Sequence, residues 1–307
     1  MKKAQRLDFV RSAPLPVRDG VAPSRVYLPP GPWVLLKDFL LQRFAHLPPD
    51  ILLDRLARGD IVDEAGVAQT PDSPYKARGW LWYYRDVPTE TPVPFDLPVL
   101  FRDESLVVVD KPHFLASIPG GRYLKETALV RLRQSLNLPE LSPVHRLDRD
   151  TAGVLLFCVD PERRGAYQAL FQSRSVHKVY EAIAPLRSEL TFPVVHRSCI
   201  QERPERFTMQ ETAGEPNSET RIELVAQQGA WGRYRLHPLT GRKHQLRVHM
   251  SSLGMPIRHD TFYPQLQAYA ESDDFSRPLQ LLARSIEFID PVSGQPRYFQ
   301  SQRQLSF

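Results

Sequence analysis

Apolar runs of strand length are interleaved along this chain with segments of helical spacing, in no regular strand-helix-strand order. That irregular interleaving limits the fold more than any other feature. Leu106-Val107-Val108-Val109 and Val154-Leu155-Leu156-Phe157 are unbroken apolar runs, the pattern of strands covered on both faces. Residues 176–184, 221–225 and 232–237 read as further strands. Between them, apolar residues at 124, 128, 129, 132 and 136 follow helical spacing, and residues 162–172 read as another helix. Residues 241–254 look like a turn entering a helix that Gly254 ends. Without a βαβ repeat, the expected class is α+β: a mixed, largely antiparallel sheet flanked by helices, with a small module ahead of it.

Domain boundaries follow from proline and from a change of pattern. Residues 1–34 are rich in Pro and Arg with no sustained periodicity, so they read as a basic, extended arm with little packed structure of its own. In residues 33–58 the apolar positions 36, 39, 40, 44, 51, 52 and 56 suggest two short helices broken at Pro48-Pro49. Short strands around Ile61-Val62 and Leu81-Trp82-Tyr83-Tyr84 come next. This order, with Arg55, Arg58 and Gly59-Asp60 before the first strand, resembles the alpha-L module of a ribosomal small-subunit protein. A packing module without RNA contacts fits the same residues. Residues 35–92 are therefore assigned to a small RNA-binding-like module and linker. The proline-rich stretch from Pro88 to Pro98 acts as a stiff spacer, and residues 93–307 form the large domain.

Composition excludes several classes. The apolar content of 42% is that of a globular chain, and no span approaches the length of a membrane helix. Met1-Lys2-Lys3 is not followed by the apolar core of a signal peptide, so cytoplasm is the expected location. Two cysteines, Cys158 and Cys199, make neither a disulfide framework nor a cysteine-rich zinc site. The net charge is +5 with a pI near 9.2, a modest excess, but its distribution is informative. Residues 1–35 carry six basic side chains against Asp8 and Asp19, and Arg131, Arg133, Arg146, Arg149, Arg163, Arg164, Arg174, Lys178, Arg242, Lys243 and Arg247 are expected to cluster around the site described next. A polyanion partner is expected, no membrane, and a monomeric chain.

His145-Arg146-Leu147-Asp148 is followed at once by Arg149-Asp150-Thr151-Ala152-Gly153 and the strand 154–157. One carboxylate thus sits at the entrance of a rigid element, where a catalytic group is best held. An isolated Arg-x-Asp is as readily a surface ion pair contributing only about 0 to 1 kcal/mol, so the rest of the chain must decide. HRLDxxTxGxLLF resembles the signature of the RluA-type RNA pseudouridine synthases. Further blocks agree in order and distance: Asp110-Lys111-Pro112, His177-Lys178-Val179-Tyr180-Glu181-Ala182, residues 239–249, and Leu282-Ala283-Arg284-Ser285-Ile286-Glu287-Phe288. Together they run from about residue 98 to 295.

The resemblance implies a pseudouridine-synthase-like domain that isomerises uridine in ribosomal or transfer RNA. Breaking and remaking a glycosidic bond changes no oxidation state, so no cofactor and no metal are expected. By resemblance Asp148 is the catalytic carboxylate, Arg247 the cation that orients it, and Tyr180 a ring against uracil whose phenol also serves in proton transfer. Attack on ribose is the preferred route; attack on uracil carbon 6 and elimination remain open alternatives. Arg146 is assigned to the stack vacated by an extruded base, and Lys178, Arg242 and Lys243 to phosphates. His145 is expected to buttress the loop. The chain departs from the family at Ala152, where Ser is usual, at Lys243, where Thr is usual, and at Phe114 and His259, where Gly is usual. A noncatalytic RNA-binding protein on the same scaffold is the rival reading. A hydrolase has little support: there is no Gly-x-Ser-x-Gly elbow, and His244 and His249 lack the spacing of a helical zinc site.

Overall fold

The computed structural model describes residues 13–86, 90–204, 207–267 and 274–307. By internal contacts the chain divides into two compact units, Met1–Thr89 and Glu90–Phe307.

In the first unit, strand β1 (Ser24–Tyr27) precedes helices α1 (Leu36–Arg43) and α2 (Pro49–Ala57), then strands β2 (Ile61–Val62) and β3 (Trp80–Tyr83). Helix α2 starts at a proline, where the missing N–H would have had no partner within the helix anyway. The three strands form an antiparallel sheet in the order β1-β3-β2. Val26, Leu81 and Ile61 pack on Leu36, Phe39, Leu40, Leu52 and Leu56 of the helices. Residues 24–27, expected to belong to an arm without packed structure, instead pair with residues 80–83. Their partner lies more than fifty residues away in sequence, so no local pattern could announce the pairing. On α2, Arg55 is buried, donates to the Tyr84 carbonyl and lies 3.3 Å from Asp86, while Arg58 pairs with Asp60 at 2.8 Å.

The second unit is built on one large sheet. Its strands are β4 (Val99–Arg102), β5 (Leu106–Lys111), β6 (Ser142–Pro143), β7 (Ala152–Cys158), β8 (His177–Pro185), β9 (Val194–Glu202), β10 (Met209–Thr212), β11 (Ser218–Gln228), β12 (Trp231–Pro238), β13 (Leu281–Ile289) and β14 (Pro296–Gln300). The order is β10-β9-β11-β12-β8-β13-β7-β5-β4, with β14 on β13 and β6 on β7. Among the described residues every pairing is antiparallel except β13 with β7. This is the mixed, largely antiparallel α+β sheet that the sequence pattern called for.

Helices α3 (Ala128–Ser135), α4 (Arg164–Gln172) and α5 (Gln245–Ser252) flank it. Helix α3 begins where the Thr127 hydroxyl accepts from Val130 N at 3.2 Å, a cap of about 1 kcal/mol. Its Ala128, Leu129 and Leu132 meet Val107, Val109, Leu155 and Phe157, one face of the apolar runs. The other face, Leu106, Val108, Val154 and Leu156, packs with Tyr167 of α4. Both faces are covered, which is why these strands lack polar alternation. Gly153 lies where β7 meets β13: its φ is +113°, and a Cβ there would sit 2.2 Å from the Ala283 carbonyl oxygen. Only glycine permits this approach.

Part of the proline-rich stretch belongs to this unit. The Glu90 carboxylate accepts from the backbone N–H groups of Leu124, Lys125 and Glu126 at 2.7 to 3.0 Å, and Val93 is buried in the α3 core. The expected spacer is thus pinned by tertiary hydrogen bonds that composition does not reveal. No helix among the described residues is long and apolar enough to cross a membrane.

Candidate active site

Asp148 lies in the turn before β7, where Thr151 N donates to the Asp148 carbonyl at 3.2 Å. The segment after β5 fastens that turn residue by residue. Ser117 Oγ donates to the Leu147 carbonyl at 2.7 Å and accepts from Leu147 N at 3.0 Å. Lys111 Nζ donates to the carbonyls of Arg149, Pro112 and Leu115 at 3.0, 2.9 and 2.7 Å. His113 Nδ1 bonds the Asp150 carbonyl at 2.7 Å, and Asp150 itself pairs with Arg149 at 2.9 Å. The backbone on both sides of Asp148 therefore has little freedom. Burial pulls the Lys111 pKa down to about 7, although Asp150 and Asp148 favour its charge; burial likewise takes His113 down to about 4, leaving it neutral. The sequence pattern marks Asp110-Lys111-Pro112 but assigns Lys111, His113 and Ser117 no role. Their function rests on carbonyl partners some thirty to forty residues away.

His145 stacks on Phe171 with ring centroids 4.7 Å apart, and its Nε2 accepts from Leu156 N at 3.2 Å. Burial pushes its pKa down to about 3, so it is an uncharged support beside the turn. Arg146 is exposed and makes no hydrogen bond or ion pair among the described residues.

Arg247 comes from α5, a helix whose residues 245–250 are all buried. A helix covered on every side must satisfy its polar side chains internally. Gln245 accepts from Arg242 N and the Thr240 hydroxyl and donates to the Glu219 carbonyl and Thr220; His249 bonds Thr220, Ser218 and Ser198. Leu246 and Met250 fill the core under β8, β11 and β12. Arg247 is held by a carboxylate missed in the sequence. Its Nε and Nη2 donate to the two oxygens of Asp260 at 2.8 and 2.6 Å, both side chains being at most 1% exposed. Nη1 has no hydrogen-bond partner among the described residues and lies 3.6 Å from Asp148 Oδ2. Phe262 covers the guanidinium, whose carbon is 4.3 Å from the ring centroid. Burial opposes the Arg247 charge, but Asp260 and then Asp148 more than offset it, so its pKa is raised.

Tyr180 stands on β8, opposite Leu236 of β12 and Ala283 of β13, and packs with both core clusters of that face. Burial, followed by the Asp148 charge, raises its pKa and keeps the phenol protonated. Two residues before it on the same strand face, Lys178 donates to the Thr240 carbonyl at 3.0 Å; burial, then Arg174, lowers its pKa to about 8. Arg242 donates to the Asn217 carbonyl at 3.2 Å and Lys243 pairs with Glu202 at 3.2 Å. Lys178, Arg242 and Lys243 thus gather around the loop that enters α5.

The backbone explains two departures noted in the sequence. Phe114 has φ +66° and His259 φ +64°, the left-handed region that suits the glycine expected at both positions. A groove of about 510 Å3 lies on the opposite face of β8, lined by His177, Glu181, Arg233 and Arg284 among others. There Glu181 is already paired with Arg284 at 2.9 Å and with Arg233 at 3.6 Å.

A sheet of this order with a carboxylate, an arginine and a tyrosine converging beside it defines an RNA pseudouridylate synthase domain, and the model of that family matches residues 105–252. The chain belongs to the RluA type of that family, enzymes that isomerise uridine in RNA. Over 203 residues it is 36% identical to the dual-specificity RNA pseudouridine synthase RluA of Vibrio vulnificus (strain CMCP6), covering 64% of this chain and 78% of the relative. Two human structures share the fold. RNA pseudouridylate synthase domain containing 4 is 25% identical with a TM-score of 0.52, covering 68% of this chain and 88% of that one. Domain containing 1 is 23% identical with a TM-score of 0.56, covering 70% and 86%.

Proposed function

We propose that this chain converts specific uridines of ribosomal or transfer RNA to pseudouridine, with Asp148 as nucleophile, Arg247 and Tyr180 as its partners, and no cofactor. One observation carries the assignment of Asp148. Its carboxylate lies 3.6 Å from Nη1, the nitrogen of the Arg247 fork that Asp260 does not engage. Arg247, itself held by Asp260, thus sets a counter-charge on one side of the Asp148 carboxylate and helps to fix its direction.

In the proposed sequence, Asp148 attacks ribose carbon 1 as the bond to uracil N1 breaks, giving a ribosyl ester and free uracil. Tyr180 donates its proton to N1. The uracil turns, carbon 5 attacks carbon 1 and displaces Asp148, and the proton then leaving carbon 5 restores the phenol. Electrons and protons balance without an outside reagent. Part of the rise in the Tyr180 pKa comes from the Asp148 charge, and that charge vanishes in the ester. The phenol becomes a better acid at the step that needs one.

Arg146, exposed two residues from Asp148, is suited to fill the stack left by an extruded base, while Lys178, Arg242 and Lys243 take up phosphates. The name of the Vibrio relative is a reason to test both RNA classes. Isomerisation frees the hydrogen on carbon 5, so ribosomal and transfer RNA carrying tritium there should release it with the wild-type chain. Asp148→Asn should bind the same RNA and release at least about 10³-fold less in a single turnover. Binding without release by the wild type would instead support a noncatalytic RNA-binding protein on this scaffold.

A further inference from the structure

The sheet of the first unit packs one face on the helices; on the other face Val62 and Trp82 are buried too, and an aromatic, basic margin around Tyr27 and Trp80 stays accessible. Val26 and Leu81 turn inward with Ile61. Side-chain alternation then puts Arg25 and Tyr27 of β1 on the opposite face, across the ladder from Trp82 and Trp80 of β3. The Arg25 guanidinium carbon lies 3.9 Å from the Trp80 ring centroid, and the Tyr27 and Trp80 rings are 5.0 Å apart. Tyr27 is 41% exposed and Trp80 half-buried. Just beyond β3, Arg18 lies 4.2 Å over the Tyr84 ring. Lys76 and Arg78 are exposed in the turn entering β3, with Glu64 near Gly79 as the opposing charge.

We propose that this face binds single-stranded RNA, stacking unpaired bases on Tyr27 and Trp80 while Arg18 and Arg78 meet phosphates. The inference rests on the RNA reading above and adds a second place of contact. Accessible rings beside guanidinium groups form the surface that holds unpaired bases irrespective of sequence; the excess of Arg18, Arg25, Lys76 and Arg78 over Glu64 favours a polyanion over an apolar protein partner. The helix side is less available for the same task. Arg55 is committed to Asp86 and the Tyr84 carbonyl, and Arg58 to Asp60.

The full chain is titrated with labelled oligoadenylate, which contains no uridine to turn over, and with an abasic strand of the same length. Trp80→Ala and Tyr27→Leu should each weaken oligoadenylate binding by roughly 5- to 150-fold, the range expected for one lost stack, and leave the abasic strand unaffected. Trp80→Phe should retain most of the affinity. Because Tyr27 is exposed, Tyr27→Leu should keep the wild-type melting temperature and serves as the test if Trp80→Ala misfolds. Irradiation with an oligonucleotide containing 4-thiouridine should attach it to peptides bearing residues 24–27 or 80–84. Wild-type affinity in Trp80→Ala and Tyr27→Leu, or equal losses on the abasic strand, would overturn the proposal. So would a contribution from Trp80 that appears only after residues 1–12 are removed, since the chain's own segment would then be the occupant. Tritium release by the wild type reports on Asp148 and not on Trp80, so the two readings fail separately.

Discussion

Replacing Asp260 by Asn tests the construction of the site at its most buried point. The substitution keeps the volume and removes the charge facing the Arg247 fork, leaving a guanidinium that is 1% exposed with the more distant Asp148 and Asp150 as counter-charges. Breaking one side of a buried pair costs about 3 to 5 kcal/mol. The Asn amide can also present N–H to N–H, and the two backbone donors now held by Asp260 Oδ1, Phe262 N and Tyr263 N, would keep at most a neutral acceptor. For a domain of this size, such a loss corresponds to a melting temperature lower by about 6 to 20 °C. Catalysis should suffer as well. Freed from Asp260, Arg247 can close on Asp148 and occupy the approach to the reacting carbon, so the single-turnover rate should fall while RNA affinity changes little. Urea unfolding and thermal melts give the first quantity, and tritium release at saturating enzyme the second. An Asp260→Asn protein within about 0.5 kcal/mol of wild type and equally fast would refute the claim that Asp260 positions Arg247.

Other outcomes follow from the same geometry. Lys111→Met should cost about 2 to 4 kcal/mol, because three carbonyl acceptors lose a common donor while the penalty of burying an ammonium is relieved. Since the folded pKa of Lys111, about 7, lies below its ordinary value of 10.5, the unfolded chain binds more protons between those values. Its contribution to stability is therefore complete above 10.5 and falls away as pH drops toward 7. The gap between wild type and Lys111→Met in urea midpoints should accordingly widen from about pH 7 to about pH 9.5, and a narrowing gap contradicts the sign. Tyr180→Phe should lower single-turnover tritium release by about 10²-fold or more through loss of the mobile proton. With the phenol pKa raised, Tyr180 should add no limb to the wild-type rate profile below about pH 9, and a rate that followed ionisation of a tyrosine near neutrality would count against its protonated form. Arg247→Lys should slow the chemical step because a point-like ammonium cannot serve Asp260 and Asp148 together, and a wild-type rate would remove the fork from the mechanism. Removing residues 1–89 should leave tritium release intact at saturating enzyme, while the salt dependence of RNA affinity weakens by roughly 0.7 for every phosphate that the first unit neutralises; an unchanged slope would mean that this unit does not engage RNA.

The sequence alone determined what short-range pattern can encode. Unbroken apolar runs mark strands covered on both sides, and β5 and β7 have helices on both faces. Helical spacing at residues 124–136 and a terminating Gly254 likewise appear as α3 and the end of α5. The run from His145 to Phe157 drew attention to Asp148 because a charged turn against a buried strand can be read within a dozen or so neighbouring residues. Tertiary structure decided what depends on partners remote in the chain. Strand β1 exists only through residues 80–83, and Glu90 belongs to the second unit only through the N–H groups of residues 124–126. Asp260, one acidic residue among thirty-five in the sequence, becomes the anchor of Arg247 because a loop returns it to the buried face of α5. Lys111 reads as the end of an apolar strand until the Arg149 carbonyl arrives at its ammonium. Local pattern encodes which face of an element is apolar, whereas a buried charge is specified by the group that neutralises it, and that group is supplied only when the chain closes on itself.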